Sequence, residues 1–359
     1  MKILVVGDVH WSQYSSILRR RGEKYSYRLE NLIESVDWAE NLADETNCDF
    51  IVYLGDFFDR PEINSEELSA LREISWSEKQ HYFLVGNHEA GRGDLFYNSA
   101  NIFGIANFTV IDTPTHQTYY YDNITLEFIP YILEENRKPL NEYILNPLEV
   151  QKRVIFSHND IKDFQMGQFI SKDGFSIDEI QNNCDLFLNG HLHNGGKVAD
   201  KIINVGNLSG QNFSEDAFKY EHSVIVLDTY TMKCAVYENP HALNFYKLDF
   251  TKNDDIDYIN EISLKMKRNS IATIKCNEKD LEYMRQRFDP KHRDPDSLIP
   301  YNCNMVDARI IVQADKVNKQ QITEEKSIHV DHLKEFSDYI INLYGNSELV
   351  QYELSEICK

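Results

Sequence analysis

Five short apolar runs, each ending in polar side chains, constrain this chain more than any other feature of its sequence. They are rich in β-branched and aromatic residues, as strands buried on both faces are. With the polar residues that end them, the runs are ILVVGD at 3–8, FIVYLGD at 50–56, YFLVGNH at 82–88, VIFSH at 154–158 and LFLNGH at 186–191. Between the first three runs, apolar residues recur at helical spacing, at Leu29, Leu32, Ile33, Val36 and Ala39 and then at Leu68, Leu71 and Ile74. Alternating strands and helices predict a layered α/β core.

The later part of the core turns β-rich, with strand-like runs at 108–112, 124–130, 201–207 and 222–228. Together with the earlier strands they predict two sheets packed face to face with helices outside, a four-layer αββα sandwich of the α/β (α+β) class. After about residue 242 the pattern restarts as strand (271–276), helix (280–288) and strand (307–314), which predicts a small α+β appendage.

The last stretch of the chain, from about residue 328, has helical periodicity. One apolar stripe carries Val330, Leu333, Phe336, Ile340 and Leu343, and a second short helix carries Leu349, Tyr352 and Leu354. These helices either fold onto their own domain or form a docking arm for a partner helix, and the sequence alone leaves both interpretations open.

Composition narrows the class of protein. Hydrophobic residues make up 42% of the 359 residues, enough for a large globular core. The apolar start of MKILVVGDVH is too short for a signal peptide or a membrane span, so we expect a cytoplasmic protein, in the host cytoplasm if the source is viral, with no membrane contact. The cysteines form no CxxC pair, which favours reduced packing residues over a disulfide framework or zinc ribbon; they are Cys48, Cys184, Cys234, Cys276, Cys303 and Cys358.

The formal net charge of −21 argues against a broad surface for polyanions, since nucleic-acid affinity rests on Lys and Arg at phosphates. Bound divalent cations would offset part of this charge locally, and a partner subunit could supply the rest. The net charge therefore favours a substrate that binds at a metal site or to a complex. It disfavours a substrate that binds to the surface of this chain alone.

The polar clusters carry the chemistry. Asp8-Val9-His10, Gly55-Asp56 with Asp59-Arg60, Gly86-Asn87-His88-Glu89, Ser157-His158-Asn159 and Gly190-His191-Leu192-His193 each follow the end of a buried strand, where α/β sheets bind their ligands. Each cluster alone could be a simple turn, but five in order are a strong signal. Carboxylate, amide and imidazole donors without cysteine suit Mn, Fe or Zn.

This pattern of DxH, GDxxD, GNH(D/E), a lone His and GHxH resembles the calcineurin-like metallophosphoesterase family. The resemblance implies two divalent ions, in the first place Mn, with Mg, Fe or Zn as alternatives. It assigns one ion to Asp8, His10, Asp56 and His193 and the other to Asp56, Asn87, His158 and His191. Asp56 would bridge the ions and restrain their repulsion, and the pair can activate water for attack on phosphorus.

Three neighbours of the ligands have expected roles. His88, beside Asn87, is positioned to protonate the leaving oxygen as the catalytic acid. Glu89 and Asp59 would support the ligands by orienting an imidazole or by balancing charge. Arg60 would pair with Asp59 or with substrate phosphate, and for Asp59 and Arg60 a structural role is favoured.

The segment after the first motif suggests a substrate. Aromatic residues able to stack on bases, Trp11, Tyr14, Tyr25 and Tyr27, alternate with basic residues able to meet phosphates, namely Arg19, Arg20, Arg21, Lys24 and Arg28. An ordinary solvated loop in an acidic protein explains the same segment equally well.

The layout also resembles the nuclease subunit of SbcCD-type repair complexes, and most closely the small subunit of phage recombination endonucleases. IPYILEEN at 129–136 and the segment 205–229 look like parts of that family. The resemblance implies a nuclease domain at 1–242, a capping domain at 243–320, and an arm at 321–359 that binds the coiled coil of an ABC-type ATPase through Leu333, Phe336, Ile340 and Leu343. It further implies a homodimer.

The favoured hypothesis is a Mn-dependent DNA exo/endonuclease subunit governed by an ATPase partner. The enzymatic alternative is a stand-alone phosphatase or phosphodiesterase acting on nucleotides or phosphoproteins, for which the region after 242 would be dispensable. A non-enzymatic scaffold is a third hypothesis. It is opposed by the intact ligand set, since a decayed site would have lost at least one ligand.

Overall fold

Each apolar run that ends in a polar cluster forms a strand, as predicted. The computed structural model describes residues 1–313 apart from Ser16, Arg19, 92–93, 105–106, 146–151 and 167–168. The strands of the main body are β1 (Lys2–Val6), β2 (Phe50–Tyr53), β3 (Gln80–Leu84), β4 (Ala90–Gly91), β5 (Asp94–Asn98), β6 (Phe108–Ile111), β7 (Thr115–Tyr119), β8 (Ile124–Ile129), β9 (Lys152–Ser157), β10 (Gln165–Met166), β11 (Phe169–Ile170), β12 (Leu186–Asn189), β13 (Gly196–Ala199), β14 (Ile202–Asn204), β15 (Ser223–Asp228) and β16 (Lys233–Glu238). Its helices are α1 (Tyr27–Glu45), α2 (Ser65–Leu71) and α3 (Ile177–Asn183).

Two six-stranded sheets form the centre of this body. The first has the order β16-β15-β1-β2-β3-β6, with β1, β2, β3 and β6 parallel and β15 antiparallel to β1. The second has the order β13-β14-β12-β9-β8-β7, with β14, β12, β9 and β8 parallel. The parallel strands of each sheet end at one edge, so the loops that follow them are neighbours.

Alternation along the strands separates the layers. On β1, Val5 packs in the core between the two sheets, whereas Leu4 and Val6 face the core under α1 and α2. The second sheet contributes Phe128 and Phe156 to the shared core, and its outer face packs against Ile180 of α3 and its neighbours. Helix, sheet, sheet and helix are stacked in this order, which confirms the predicted αββα sandwich.

The helix predicted from Leu29 to Ala39 is α1, whose apolar stripe is buried except for the partly buried Ile33. Ser26 begins it by accepting a hydrogen bond from the backbone N–H of Leu29. The helix predicted from Leu68 to Ile74 is shorter than expected, because α2 ends at Leu71 and Ile74 lies buried beyond it.

A second, smaller sheet follows the main body. Its elements are β17 (Asn244–Asp249), α4 (Ile256–Lys265), β18 (Ser270–Asn277), α5 (Leu281–Phe288) and β19 (Met305–Gln313). The three strands are parallel, and Tyr246, Ile274, Met284 and Phe288 are fully buried in a core of their own. The strand, helix and strand predicted after residue 270 are β18, α5 and β19, and β17 with α4 was not foreseen. The C-terminal arm predicted at 321–359 lies outside the described residues.

Two further expectations concern the described residues only. Their cysteines are free thiols, with Cys48, Cys184 and Cys276 buried and Cys303 exposed. Within the same part of the chain, no helix combines the length and the apolar character needed to cross a bilayer.

Candidate metal centre

The five motif loops meet at one edge of the sandwich. β1, β2 and β3 are adjacent parallel strands of the first sheet, and β9 and β12 are adjacent parallel strands of the second. Each motif follows the carboxyl end of its strand, so residues as distant in sequence as Asp8 and His191 become neighbours. The backbone N–H of His191 donates to Asp8 Oδ1 at 2.9 Å.

One group of possible ligands consists of Asp8, His10 and His193, whose ligand atoms lie within 4.8 Å of one another. His10 Nε2 and His193 Nε2 are 3.2 Å apart, and Asp8 Oδ2 is 3.9 Å from His10 Nε2. Asp8 Oδ2 is buried and has no hydrogen-bond partner in the described structure. A buried carboxylate oxygen facing two imidazole nitrogens is costly to leave unpaired, but a cation would satisfy all three atoms.

A second group consists of Asp56, His158 and His191. Asp56 Oδ2 lies 3.1 Å from His158 Nε2. Asn87 Oδ1 lies 3.2 Å from His158 Nε2 and 2.9 Å from His191 Nδ1, so this amide oxygen completes the group. His158 Nδ1 donates to the carbonyl of Leu54 at 2.9 Å, which directs Nε2 toward the other donors.

Asp56 and His88 connect the two groups. Together with His10 they form a third set of donors within 4.8 Å. The rings of His10 and His88 are 4.8 Å apart, and His88 is 41% exposed, whereas His10 is fully buried. Asp56 therefore belongs to the second group and lies near His10 of the first, its bridging of two ions stays a prediction, and His88 lies at the solvent side.

The loops adopt backbone conformations that non-glycine residues rarely take. His10, Asp56 and His191 have φ angles of 51°, 48° and 69°. Such residues are held by their surroundings at a cost of about 1 to 3 kcal/mol each, and they concentrate at functional sites. The turn after β3 has no room for a side chain at Gly86, where a Cβ would lie 2.1 Å from Asp56 Oδ1.

Glu89 holds two of the loops together. Its buried carboxylate accepts from the backbone N–H groups of Asp56, Phe58 and Gly86 at 3.0, 3.0 and 2.6 Å. Burial and the charge of Asp56 raise the pKa of Glu89 to about 8, against the amides that lower it. Glu89 thus supports the centre through the backbone rather than by orienting an imidazole.

Asp59 has the expected position beside imidazoles. Its Oδ1 lies 3.4 Å from His10 Nδ1, and its backbone carbonyl accepts from His88 Nδ1 at 2.9 Å. Arg60 pairs with both oxygens of Glu67 at 2.7 Å instead of with Asp59, and its guanidinium lies 4.8 Å from the ring centroid of Tyr14.

The electrostatics of the centre favour cations. Burial lowers the pKa of His158, but the charge of Asp56 outweighs this and the pKa of His158 is raised to about 9. Burial would raise the pKa of Asp56, but His158 lowers it well below the usual range. The pair therefore provides an anionic carboxylate and an imidazole whose proton a metal ion must displace.

Two carboxylates at the centre were missed by the sequence analysis. Asp160 Oδ2 lies 3.4 Å from His191 Nε2, and Glu215 Oε1 lies 3.3 Å from His193 Nδ1. A carboxylate two residues after His158 was a usable signal for Asp160. No local pattern links Glu215 to His193, since 22 residues separate them.

The basic segment after the first motif is less available than its sequence suggests. Arg28 is only 4% exposed and donates to the carbonyls of His10 and Gly210, so it supports the first motif from inside. Arg21 and Lys24 are exposed but pair with Glu66 and Glu73, each at 2.6 Å. Arg20 is exposed beside the ring of Tyr27, and Arg19 lies outside the described residues.

These donors fit divalent metal ions. Oxygen and nitrogen atoms converge from both sheets, one buried carboxylate oxygen lacks a hydrogen-bond partner among the described residues, and no thiol takes part. Such a set suits the hard to borderline divalent cations, and the donors do not distinguish Mn from Fe or Zn.

Comparison with known proteins agrees with this chemistry. The family model of the calcineurin-like phosphoesterases matches residues 1–259, which include both sheets and all the motif loops. A comparison with curated proteins found no match. Because the family model covers well over half of the 359 residues, the chain belongs to the calcineurin-like phosphoesterases.

Proposed function

We propose that this phosphoesterase is the Mn-dependent DNA exo/endonuclease subunit of a recombination or repair complex with an ABC-type ATPase. The phosphoester chemistry rests on the family and on the two donor groups, and the choice of DNA rests on features around them. When bound, two divalent ions would polarise the phosphate and activate the attacking water.

His88 is suited to protonate the leaving group. Its Nδ1 is engaged by the carbonyl of Asp59, so Nε2 is the nitrogen left to face a substrate. When a hydroxide oxygen bonds to phosphorus, the bond from phosphorus to the leaving oxygen breaks, and this oxygen takes the Nε2 proton of the imidazolium form of His88, whose Nδ1 proton stays hydrogen-bonded to the Asp59 carbonyl. The exposure of the His88 ring allows a substrate to reach it.

The observation that most favours a long substrate is a cleft between the first-motif segment and the small sheet. This cleft, of about 570 Å³, is lined by Ile17, Arg20, Pro290, Lys291, Val306 and Asp307. Arg20 and Lys291 supply cations from both sides, although Lys291 also pairs with Asp307 at 3.1 Å. A nucleic-acid strand could place phosphates against these two cations, and this is the reason for preferring DNA over a nucleotide or a phosphopeptide.

A partner would resolve the charge problem. The net charge of −21 opposes DNA binding, and Arg21 and Lys24 of the first-motif segment are held in ion pairs, so a partner subunit would provide most of the phosphate contacts. Leu333, Phe336, Ile340 and Leu343 in the arm remain the proposed ATPase contacts. Replacing Leu333 and Phe336 by Glu should abolish ATPase binding and leave Mn-dependent hydrolysis intact. We also propose homodimerisation, testable by light scattering.

The deciding experiment compares hydrolysis of linear double-stranded DNA, single-stranded DNA and an aryl phosphate, with Mn or with a chelator. We expect Mn-dependent DNA degradation that is lost in His88→Ala. Rapid aryl phosphate cleavage with intact DNA, also after addition of an ATPase subunit, would instead support a stand-alone phosphatase. The acidic surface is the observation that favours this alternative.

A further inference from the structure

Glu215 contacts the metal centre from a loop outside the five motifs. It is 3% exposed, and its Oε1 lies 3.3 Å from His193 Nδ1. The same carboxylate accepts from the side chain of Asn207 at 3.1 Å and from the backbone N–H of Gln211 at 2.9 Å. With Nδ1 of His193 engaged by this carboxylate, Nε2 is directed at the other donors of the centre.

The segment that carries Glu215, residues 207–218, is attached to the metal centre at its start. The backbone N–H of Asn207 donates to the carbonyl of His193 at 3.1 Å, and that of Leu208 donates to the carbonyl of Asp8 at 2.8 Å. The backbones of Asp8 and His193, which belong to the same donor group, are thus hydrogen-bonded to this segment. The side-chain contact between Glu215 and His193 adds to these bonds.

The other end of the segment is built into the small sheet. The backbone N–H of Ala217 donates to the carbonyl of Phe245 at 3.1 Å, and Ala217 is buried in the core of that sheet. The ring of Phe213 packs edge-on against Phe245 at 5.2 Å, and the ring of Phe218 lies 4.6 Å from Tyr246. Phe245 and Tyr246 both belong to β17.

Among the described residues, the opposite donor group has no such attachment. His191 meets Asp160, whose side chain also accepts from the hydroxyl of Ser171 at 3.1 Å, within the main body. Each group therefore has its own carboxylate, and in the part of the chain that the structure describes, the one at His193 alone belongs to a segment packed on the small sheet.

We propose that Glu215 is a positioning residue for His193, and that segment 207–218 couples the small sheet to the metal affinity of the Asp8, His10 and His193 group. Packing of β17 against the segment holds the carboxylate in place, and the carboxylate holds the imidazole. A contiguous chain of hydrogen bonds and packed rings connects the two.

The first test is Glu215→Gln, which keeps the size of the side chain and removes its charge. Binding of Mn²⁺ alone is measured by calorimetry, and binding of Co²⁺ alone by its visible absorption spectrum. We expect one of two ions to bind about 10 to 100-fold more weakly, with an altered Co²⁺ spectrum, the usual scale for a lost partner of a metal-bound histidine. Glu221→Gln is the matched control, since Glu221 is exposed and pairs with Lys267. Unchanged affinity and spectrum in Glu215→Gln would overturn the positioning role.

The second test is Phe213→Ala, which loosens the segment on β17 without touching a donor of the centre. We expect the affinity of the same ion to fall several-fold at temperatures far below unfolding, while the other ion binds normally. Tyr258→Ala is the control, because it removes a ring from α4, the helix that packs on the same small sheet. If Phe213→Ala binds both ions as the unchanged protein does, the coupling to the small sheet is overturned. Neither test involves DNA, so a failure here is distinct from a failure of the proposed nuclease function.

Discussion

At the scale of single residues, the centre separates groups that hold cations from a group that can move a proton. Asp8, His10 and His158 are fully buried, whereas His88 is 41% exposed. Buried donors are shielded from water and suit permanent ligands, while an exposed imidazole can meet a substrate and exchange its proton. The two kinds of role therefore predict different responses to substitution.

His88→Ala is expected to reduce hydrolysis of an aryl phosphodiester by roughly two to four orders of magnitude, the scale of a lost general acid. Its metal content should stay near normal, as measured by mass spectrometry of the desalted protein. His116→Ala, which removes an exposed histidine on β7, serves as control. Loss of bound metal in His88→Ala would show that this imidazole is a ligand, an arrangement that its proximity to His10 and Asp56 permits.

Metal affinity should depend on pH through His158. Its pKa is raised to about 9 by Asp56 despite burial, and a metal ion must displace this proton. Affinity for Mn²⁺ should therefore increase with pH until the pH reaches about 9. Below that pH, the affinity should change by about tenfold per pH unit for each proton released. Calorimetry in buffers of different ionisation enthalpy would measure about one proton released near pH 7.5. An affinity independent of pH between 6 and 9 would contradict this account.

The raised pKa of His158 also makes the stability of the metal-free protein depend on pH. Stability should fall as the pH rises, whereas metal affinity should increase. Protonated His158 stabilises the fold through Asp56, fully so below the usual pKa of 6.5. This contribution is lost as the pH rises through about 9. Thermal unfolding of chelator-treated protein should therefore occur at lower temperature at pH 9 than at pH 6.5.

At the scale of elements, the strand-end loops are held by buried polar side chains. Glu89 binds the loops after β2 and β3, and Asn159, Asn189 and Asn204 form a hydrogen-bonded series across the carboxyl ends of β9, β12 and β14. Asn189 Nδ2, for example, donates to the carbonyl of Asn159 at 2.9 Å. Loops with strained residues need such fixed partners, because their own conformational preferences oppose the required geometry.

Gly86→Ala is expected to disrupt the loop after β3. The new Cβ would lie 2.1 Å from Asp56 Oδ1 and 2.5 Å from Asp56 N, so the bridging carboxylate must move. We expect at least tenfold weaker binding of both metal ions and a loss of stability of about 1 to 3 kcal/mol, the usual cost of overpacking. Gly104→Ala is the control, since among the described residues its Cβ would approach Asn101 O alone, at 3.3 Å. Normal binding of both ions by Gly86→Ala would show that the turn can relax without moving Asp56.

At the scale of the whole molecule, an acidic phosphoesterase body is joined to a small parallel sheet with its own core. Opposing charges are paired across the surface, as between Arg21 on the first-motif segment and Glu66 on α2. A net charge of −21 opposes the binding of a polyanion to the surface as a whole. The proposed nuclease therefore needs either its metal ions or a partner to hold DNA.

DNA binding by the isolated chain should accordingly depend weakly on salt. Each phosphate contact contributes about 0.9 to the slope of log affinity against log salt concentration. Since Arg28 is buried and Arg21 and Lys24 are held in ion pairs, we expect a slope of about 3 or less. Arg20→Ala should reduce the slope by about 1, whereas Lys265→Ala, an equal charge change on α4, should not. Fluorescence anisotropy of labelled DNA, measured in the presence of a chelator, would give the slope for both variants. A steep slope that Arg20→Ala leaves unchanged would show that DNA binds to a surface that does not include Arg20.

The sandwich and the candidate metal ligands were predictable from the sequence alone, because their signals are local. An apolar run followed within one or two residues by Asp, Asn or His shows both a buried strand and a ligand at its end. Parallel strands then bring those ends together, as with Asp8 and His191. The strands of the small sheet were readable for the same reason, except β17, whose run NFYKLD mixes polar and apolar residues.

Which charges are free and which side chains support the candidate ligands depends on tertiary packing. Arg28 was expected at a DNA surface but is buried under His10, and Arg21 meets a carboxylate 45 residues away. Glu215 reaches His193 across a loop that packs on another sheet. Burial and long-range pairing depend on where distant segments meet, and no pattern within one segment encodes them. Local sequence patterns thus predict the metal ligands. The side chains that hold those ligands in place, and the cations that are free to bind a polyanion, depend on tertiary packing.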